Sequence, residues 1–361
     1  MIAIPLAVVV TLTTWPHAEL ERLAPLAALA DVACVESNPD GSMKQVTVLA
    51  WVPAPPLVVR DVIVQSDRYH EFVPNLSRST KEPLPDGRWK SAWRIELPVS
   101  SFEGVDTYAL DGDATVMSGD DAARYRYEVL PIGGGSLLVQ YGYTDVKHSN
   151  AFVRSFVKRQ PMMEHGLALS AQMMFVTAMR KEAMRRAGTK PFAPPSTGPP
   201  PSFASLLARG QVAVMRDGEV SVLDRIYAAE PRVEAVIAHA NEYASFVPGV
   251  DKSYHHDGGF FVEMSLPIVT WASTWMLRES AHAVDGAAVD GDLRGARFRW
   301  DLSARTAAET LAVYRVRQAL DQSSVLLRKL FELQPSLKLG INVALGLVWT
   351  RAIRGRAEGW R

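Results

Sequence analysis

The sequence predicts an α+β chain made of two tandem copies of one domain, each a curved antiparallel sheet wrapped around a long C-terminal helix. Three observations predict it: a self-similarity at one fixed offset, a period-two alternation within each copy, and a helical apolar stripe ending each copy.

The self-similarity is clearest where Val59–Ser79, VRDVIVQSDRYHEFVPNLSRS, meets Val233–Ser253, VEAVIAHANEYASFVPGVDKS. The second segment follows the first by 174 positions, and Val59, Val62, Ile63, Tyr69, Phe72, Val73, Pro74 and Ser79 recur unchanged. The same offset carries Arg154, Gln160, Pro161, Gly166, Ala178, Arg180 and Ala183 onto Arg328, Gln334, Pro335, Gly340, Ala352, Arg354 and Ala357. An offset this long means duplicated domains, not a solenoid. Residues 188–202, GTKPFAPPSTGPPPS, hold six prolines, a composition that favours an extended spacer. The chain therefore divides into a segment 1–18, a first domain 19–187, a linker 188–202 and a second domain 203–361. The linker is expected to separate two units that fold on their own.

Each copy opens with a short Leu/Ala-rich helix, at 19–30 and 203–209, followed by a strand pair turned at Asp40-Gly41 and at Asp217-Gly218. Further on, Trp89, Ser91, Trp93, Ile95 and Leu97 alternate with Lys90, Arg94 and Glu96, which places the aromatic set on one face of a strand. Phe260, Val262, Met264 and Leu266 repeat that face. Tyr125, Tyr127 and Val129 share a face that Phe298, Trp300 and Leu302 take in the second copy. Phe72 and Phe246 are expected as wedges into each core. The closing stripe runs through Phe152, Phe156, Met163, Leu167, Met174 and Ala178, and again through Leu326, Leu330, Leu337, Ile341, Val348 and Ala352. Pro161 and Pro335 should sit near the first turn of each long helix.

Composition removes several functions. The chain has 361 residues, 48% of them hydrophobic and 22% charged, and its 39 basic and 39 acidic residues cancel. Without net positive charge it lacks the long-range attraction that nucleic-acid binding needs, so no nucleic-acid partner is expected. Cys34 is the lone cysteine, so no intrachain disulfide and no cysteine-based zinc site can form. No metal and no cofactor is expected. Gly133-Gly134-Gly135 lies between strands and reads as a hairpin turn, and His255-His256 precede a loop tip without a third ligand. Residues 1–14, MIAIPLAVVVTLTT, are apolar but carry no preceding Lys or Arg. An export signal and a simple packing segment both stay open, and with them an exported or a cytoplasmic location.

At Tyr69-x-x-Phe72-Val73-Pro74 and Tyr243-x-x-Phe246-Val247-Pro248, preceded by Ala54-Pro55-Pro56 and Val59-x-x-Val62-Ile63, the chain resembles the START-like helix-grip superfamily. Its polyketide cyclase and coenzyme Q-binding branch is the nearest resemblance. The resemblance spans about 44–187 and 219–360. It implies a pocket between sheet and helix for a lipid, quinone, sterol or polyketide, and in some members a cyclisation.

The residues placed to line such pockets are Trp93, Tyr127, Met163, Leu167 and Met174 in the first copy, with Trp300, Ile341 and Asn342 in the second. The first long helix also carries Met162, Met173 and Met179, and methionine adapts to varied apolar shapes. An empty void of ~400 Å³ would cost about 10 kcal/mol, so each pocket must be filled by side chains or by a ligand. Glu164 and His165 are the weak catalytic candidates, since a carboxylate beside an imidazole can move protons. The leading reading is a carrier of an apolar small molecule, with the first copy as the binding one. A polyketide cyclase or aromatase, and an interaction module with closed pockets and transient membrane contact, stay open. Oligomeric state is not legible.

Overall fold

The computed structural model describes residues 12–97, 100–120, 122–144, 154, 163–188, 194–195, 203–216, 218–266, 269–317 and 335–360. Residues 1–11 of the apolar N-terminal run, nearly all of the linker, and Phe152, Phe156, Pro161, Met162, Leu326 and Leu330 therefore lie outside the described residues.

In the first copy α1 (His17–Leu29) precedes the hairpin of β1 (Asp31–Ser37) and β2 (Met43–Val52). Gly41 holds φ +83° in its turn, a conformation that glycine adopts without strain. Helix α2 (Pro56–Val64) starts on a proline, whose fixed φ suits a first turn and whose missing N–H would go unpaired there anyway. Then come β3 (Leu76–Ser79), β4 (Glu82–Pro83), β5 (Trp89–Leu97), β6 (Ser100–Asp111), β7 (Ala114–Gly119), β8 (Arg124–Ile132), β9 (Gly135–Tyr143) and the long α3 (Met163–Ala187). The second copy repeats the order with α4 (Ala204–Leu207), β10 (Gln211–Arg216), β11 (Glu219–Ile226), α5 (Glu230–Ala238), β12 (Val250–His256), β13 (Gly259–Leu266), β14 (Val269–Ser280), β15 (Ala283–Gly291), β16 (Arg297–Thr306), β17 (Glu309–Arg317) and α6 (Pro335–Glu358). The predicted turn at Asp40-Gly41 and both closing helices are present, β10 pairs with β11 up to Arg216 opposite Glu219, and α6 opens on Pro335.

The YxxFVP segments are anchored by tyrosine more than by phenylalanine. Tyr69 and Tyr243 are buried, and their hydroxyls donate to the carbonyls of Ile63 and Ile237. Phe72 and Phe246 are only partly buried, packed edge-on against those tyrosine rings at 5.7 and 5.9 Å. The expected deep wedge is corrected accordingly: the phenyl rings cap the core, and the phenols enter it.

The two sheets are continuous. Strand β1 pairs antiparallel with β10, from Asp31 opposite Met215 to Val35 opposite Gln211, centred on Ala33 opposite Ala213. Each copy ends its sheet in an equivalent edge strand, and these edges cover one another, as two subunits of a symmetric dimer would. The helices also meet: the hydrogen of Gly166 faces Ala344 and that of Gly340 faces Ser170, where any Cβ would overlap the neighbour. The Cys34 thiol donates to the carbonyl of Leu206 at 3.5 Å. The copies thus share strand, helix and core contacts, which the prolines of the linker did not reveal.

Candidate ligand cavity

In each copy the concave face of the sheet and the long helix enclose a cavity. The first measures about 150 Å³ and the second about 40 Å³. Equivalent strands line both, so the difference is one of side chains.

In the first copy, Ser91 on β5 lies opposite Asp106 on β6, and Trp93 lies opposite Gly104. Trp93 is a large residue over a small one; a Cβ at position 104 would press into its indole. Asp106 is 7% exposed, on the inner face with Tyr108. Burial above all raises the pKa values of Tyr69, Tyr108 and Tyr127; Asp106 comes next for Tyr69, and after neighbouring tyrosines for the other two, so these phenols stay protonated donors. Gln140 on β9 donates through Nε2 to the Tyr127 hydroxyl at 3.1 Å, and Tyr125 shares a 2.5 Å bond with Thr144. Among the described residues, two groups lining this cavity have no partner: the indole N–H of Trp93 and the side-chain carbonyl of Gln140. Helix α3 contributes Ala171, Met174 and Phe175.

Aromatic bulk replaces that polarity in the second copy. The pair Ser91–Asp106 becomes Phe260–Trp275, and the pair Tyr127–Gln140 becomes Trp300–Tyr314. On α6, Leu345 and Trp349 stand 174 positions after Ala171 and Phe175 and fill the space they leave. Trp300 and Tyr314 pack ring on ring at 4.5 Å, and Tyr243 meets Trp349 at 4.9 Å.

Of the sequence-predicted lining residues, Trp93, Tyr127 and Met174 come together around the first cavity, and Trp300 lines the second. Leu167 and Ile341 pack at the edge of the core without lining either one. Asn342 is 2% exposed with its carbonyl oxygen unpaired, yet Leu345 and Trp349 are the α6 residues that line the cavity. The side chain of Met163 lies outside the described residues. Glu164 and His165 are buried but line neither cavity. His165 turns Nε2 toward Ser37 Oγ at 3.1 Å, and burial, with Arg351 nearby, lowers its pKa to about 4. Sequence reasoning missed Ser91 as a polar lining group, and Asp106 and Gln140 altogether. A carboxylate alternating in step with Phe102, Gly104 and Tyr108 was the available signal for Asp106.

Among the described residues no cluster of three or more His, Cys, Asp or Glu is placed to hold a metal ion, and no helix is long and apolar enough to cross a membrane.

No family model matches the chain, and no curated protein matches it in sequence. Among solved structures it is similar to the di-domain ARO/CYC StfQ from the steffimycin biosynthetic pathway, at 13% identity and a TM-score of 0.31, over 85% of this chain and 99% of that one. The di-domain ARO/CYC BexL from the BE-7585A biosynthetic pathway gives 11% identity and a TM-score of 0.29, over 86% of this chain and 99% of that one. A START superfamily protein from Mycobacterium smegmatis matches at 13% and 0.30, covering 40% of this chain and 99% of its own. Values this low carry no argument about activity. The chain's own strand order and closing helices give it the architecture of two tandem helix-grip domains.

Proposed function

We propose that the first copy binds an apolar small molecule bearing hydrogen-bonding groups, in the cavity between its sheet and α3. One observation carries this reading. Among the described residues, the larger cavity is the one whose walls hold both an unpaired donor, the Trp93 indole N–H, and an unpaired acceptor, the Gln140 carbonyl, whereas the smaller holds an unpaired donor alone, the Trp271 indole N–H. Buried polar groups without partners cost roughly 1–3 kcal/mol each, and a ligand that satisfies both removes that cost. An apolar cavity of ~150 Å³ accepts about one aromatic ring. The ligand therefore places one ring inside, and a longer lipid or polycyclic body requires Met174 and Phe175 to move aside. The second copy, its cavity filled by its own aromatic residues, serves as a packed partner.

A second reading has its own observation. Asp106 sits among three protonated phenols, an arrangement able to exchange a proton with a carbonyl-bearing ligand, as a cyclase of a poly-keto chain would require.

Thermal shift of the full chain against quinones, sterols and fatty acids tests the binding. A ligand that stabilises should do so saturably, by ~2.7 kcal/mol at a hundredfold excess over Kd. Trp93→Phe, which removes only the N–H, should weaken it. A ligand bound equally by the Trp93→Phe and wild-type chains, and equally by a Gln140→Leu variant, would place binding elsewhere.

A further inference from the structure

Where the copies meet, the β1–β2 hairpin faces the start of β10 and the C-terminal half of α6 across a cleft of about 520 Å³. Three guanidinium groups line it, those of Arg209, Arg351 and Arg354, together with the carboxyl groups of Asp40 and Asp224. Two of the three are matched. Arg209 pairs with Glu19 at 2.8 Å and covers the Trp15 ring at 4.9 Å. Arg354 pairs with Asp224 at 3.2 Å and with Glu358 at 3.0 Å.

Arg351 is not. Among the described residues no carboxylate forms an ion pair with it. Its Nη2 donates to the Gly41 carbonyl at 2.6 Å, while Nη1 lies 3.3 Å from both Ser37 Oγ and His165 Nε2. All of these partners are neutral, since burial keeps His165 deprotonated. The guanidinium is itself partly buried, and that burial disfavours its charged form. Asp224, Asp40 and Glu164 favour its charge from a distance, but no described carboxylate reaches it to form an ion pair, and a charge withdrawn from water without a directly bonded counter-charge is costly. The hairpin makes room for this one: any Cβ on Gly41 would overlap it. The feature is not inherited from the duplication, because the residue 174 positions earlier is Thr177.

We propose that this cleft binds a small oxyanion, a carboxylate or phosphate group, through Arg351. The planar guanidinium fork matches two oxygens of such a group at once. Arg354 stands one helical turn further along the same side of α6, and Arg209 adds positive potential from the facing wall. The walls belong to both copies, so the anion also fastens one copy to the other.

The test is calorimetric titration of the full chain with inorganic phosphate and, separately, with citrate, at ionic strength held constant with sodium chloride. Saturable binding of one anion per chain is expected, weakened at least tenfold by Arg351→Gln and less by Arg351→Lys. Binding of phosphate alone, or of citrate alone, identifies which oxyanion the cleft takes. Because Arg351 also holds the hairpin, a second measurement follows tryptophan fluorescence. Trp360 lines the cleft, so Trp360→Phe should remove part of the anion-induced change without removing the binding heat. Absence of saturable binding by both anions, or equal binding by wild type and Arg351→Gln, overturns the proposal.

Discussion

The two cavities are one design carried to two ends. Their strands pair in the same register, yet Ser91 opposite Asp106 in one copy answers to Phe260 opposite Trp275 in the other. The first arrangement leaves space with an unpaired donor and an unpaired acceptor in its walls; the second takes up most of the space and keeps only an unpaired donor, the Trp271 indole N–H, among the described residues. At ~24 cal/mol per Å³, the open volumes correspond to about 4 kcal/mol in the first copy and about 1 kcal/mol in the second. A fold that tolerates the larger void has given up stability there, and a bound ligand returns it. The lesson is that binding capacity in this architecture is set by a handful of inward positions, not by the frame.

The largest expected effect comes from giving the second cavity the helix residues of the first. Leu345→Ala with Trp349→Phe restores the residue types of Ala171 and Phe175 and should cost about 3–5 kcal/mol, measured by urea unfolding. A loss below ~1 kcal/mol would mean that the second cavity is not packed as described.

The contrast extends to two buried titratable groups, one in each copy. His165 on α3 has its pKa lowered to about 4 from 6.5, chiefly by burial. Its contribution is complete above pH 6.5 and is lost as pH falls toward 4. Asp224 on β11 has its pKa raised to about 6 from 3.8, again chiefly by burial, with Arg354 and Gln211 opposing. Its contribution is complete below pH 3.8 and is lost as pH rises through 6. Each swing amounts to about 3 kcal/mol, and the two oppose one another across their shared window. Urea midpoints followed between pH 4 and 6.5 should therefore change in opposite senses, relative to wild type, for His165→Gln and Asp224→Asn. Parallel changes would show that one of the two groups is not buried as placed.

Much of this frame was legible from residues alone. The offset of 174, the Asp40-Gly41 turn and the inner faces of β5, β8, β13 and β16 all follow from period and punctuation. The lining of the helices was legible only in part, for a physical reason. Periodicity shows that a helix has an apolar stripe, but α3 and α6 each face both a sheet and another helix. Gly166 and Ser170 are spent on the helix contact, which turns Ala171, Met174 and Phe175 toward the sheet and leaves Leu167 at the edge. On α6 the same rotation favours Leu345 and Trp349 over Ile341. The pairing of β1 with β10 had no signal either, because an edge strand reads the same whether water or another edge lies beside it. The division at 188–202 remains a proposal with a sharper test: proteolytic cutting there should leave two halves that elute together, and separate elution of folded halves would show the shared edge to be weak.

The smallest change in stability should produce the clearest change in binding. Ala171 is the α3 residue whose counterpart, Leu345, helps to close the second cavity. Ala171→Leu adds three carbons to a wall that already borders open space, so overpacking strain should stay under ~1.5 kcal/mol. Those carbons enter the volume that one ring of the ligand would occupy. Any ligand found by thermal shift should then lose at least tenfold in affinity, about 1.4 kcal/mol, while the unfolding midpoint without ligand barely moves. Calorimetry on the wild-type and Ala171→Leu chains separates the two quantities. Undiminished affinity in a folded Ala171→Leu protein would remove the cavity as the binding site and leave the contrast between the copies one of packing alone.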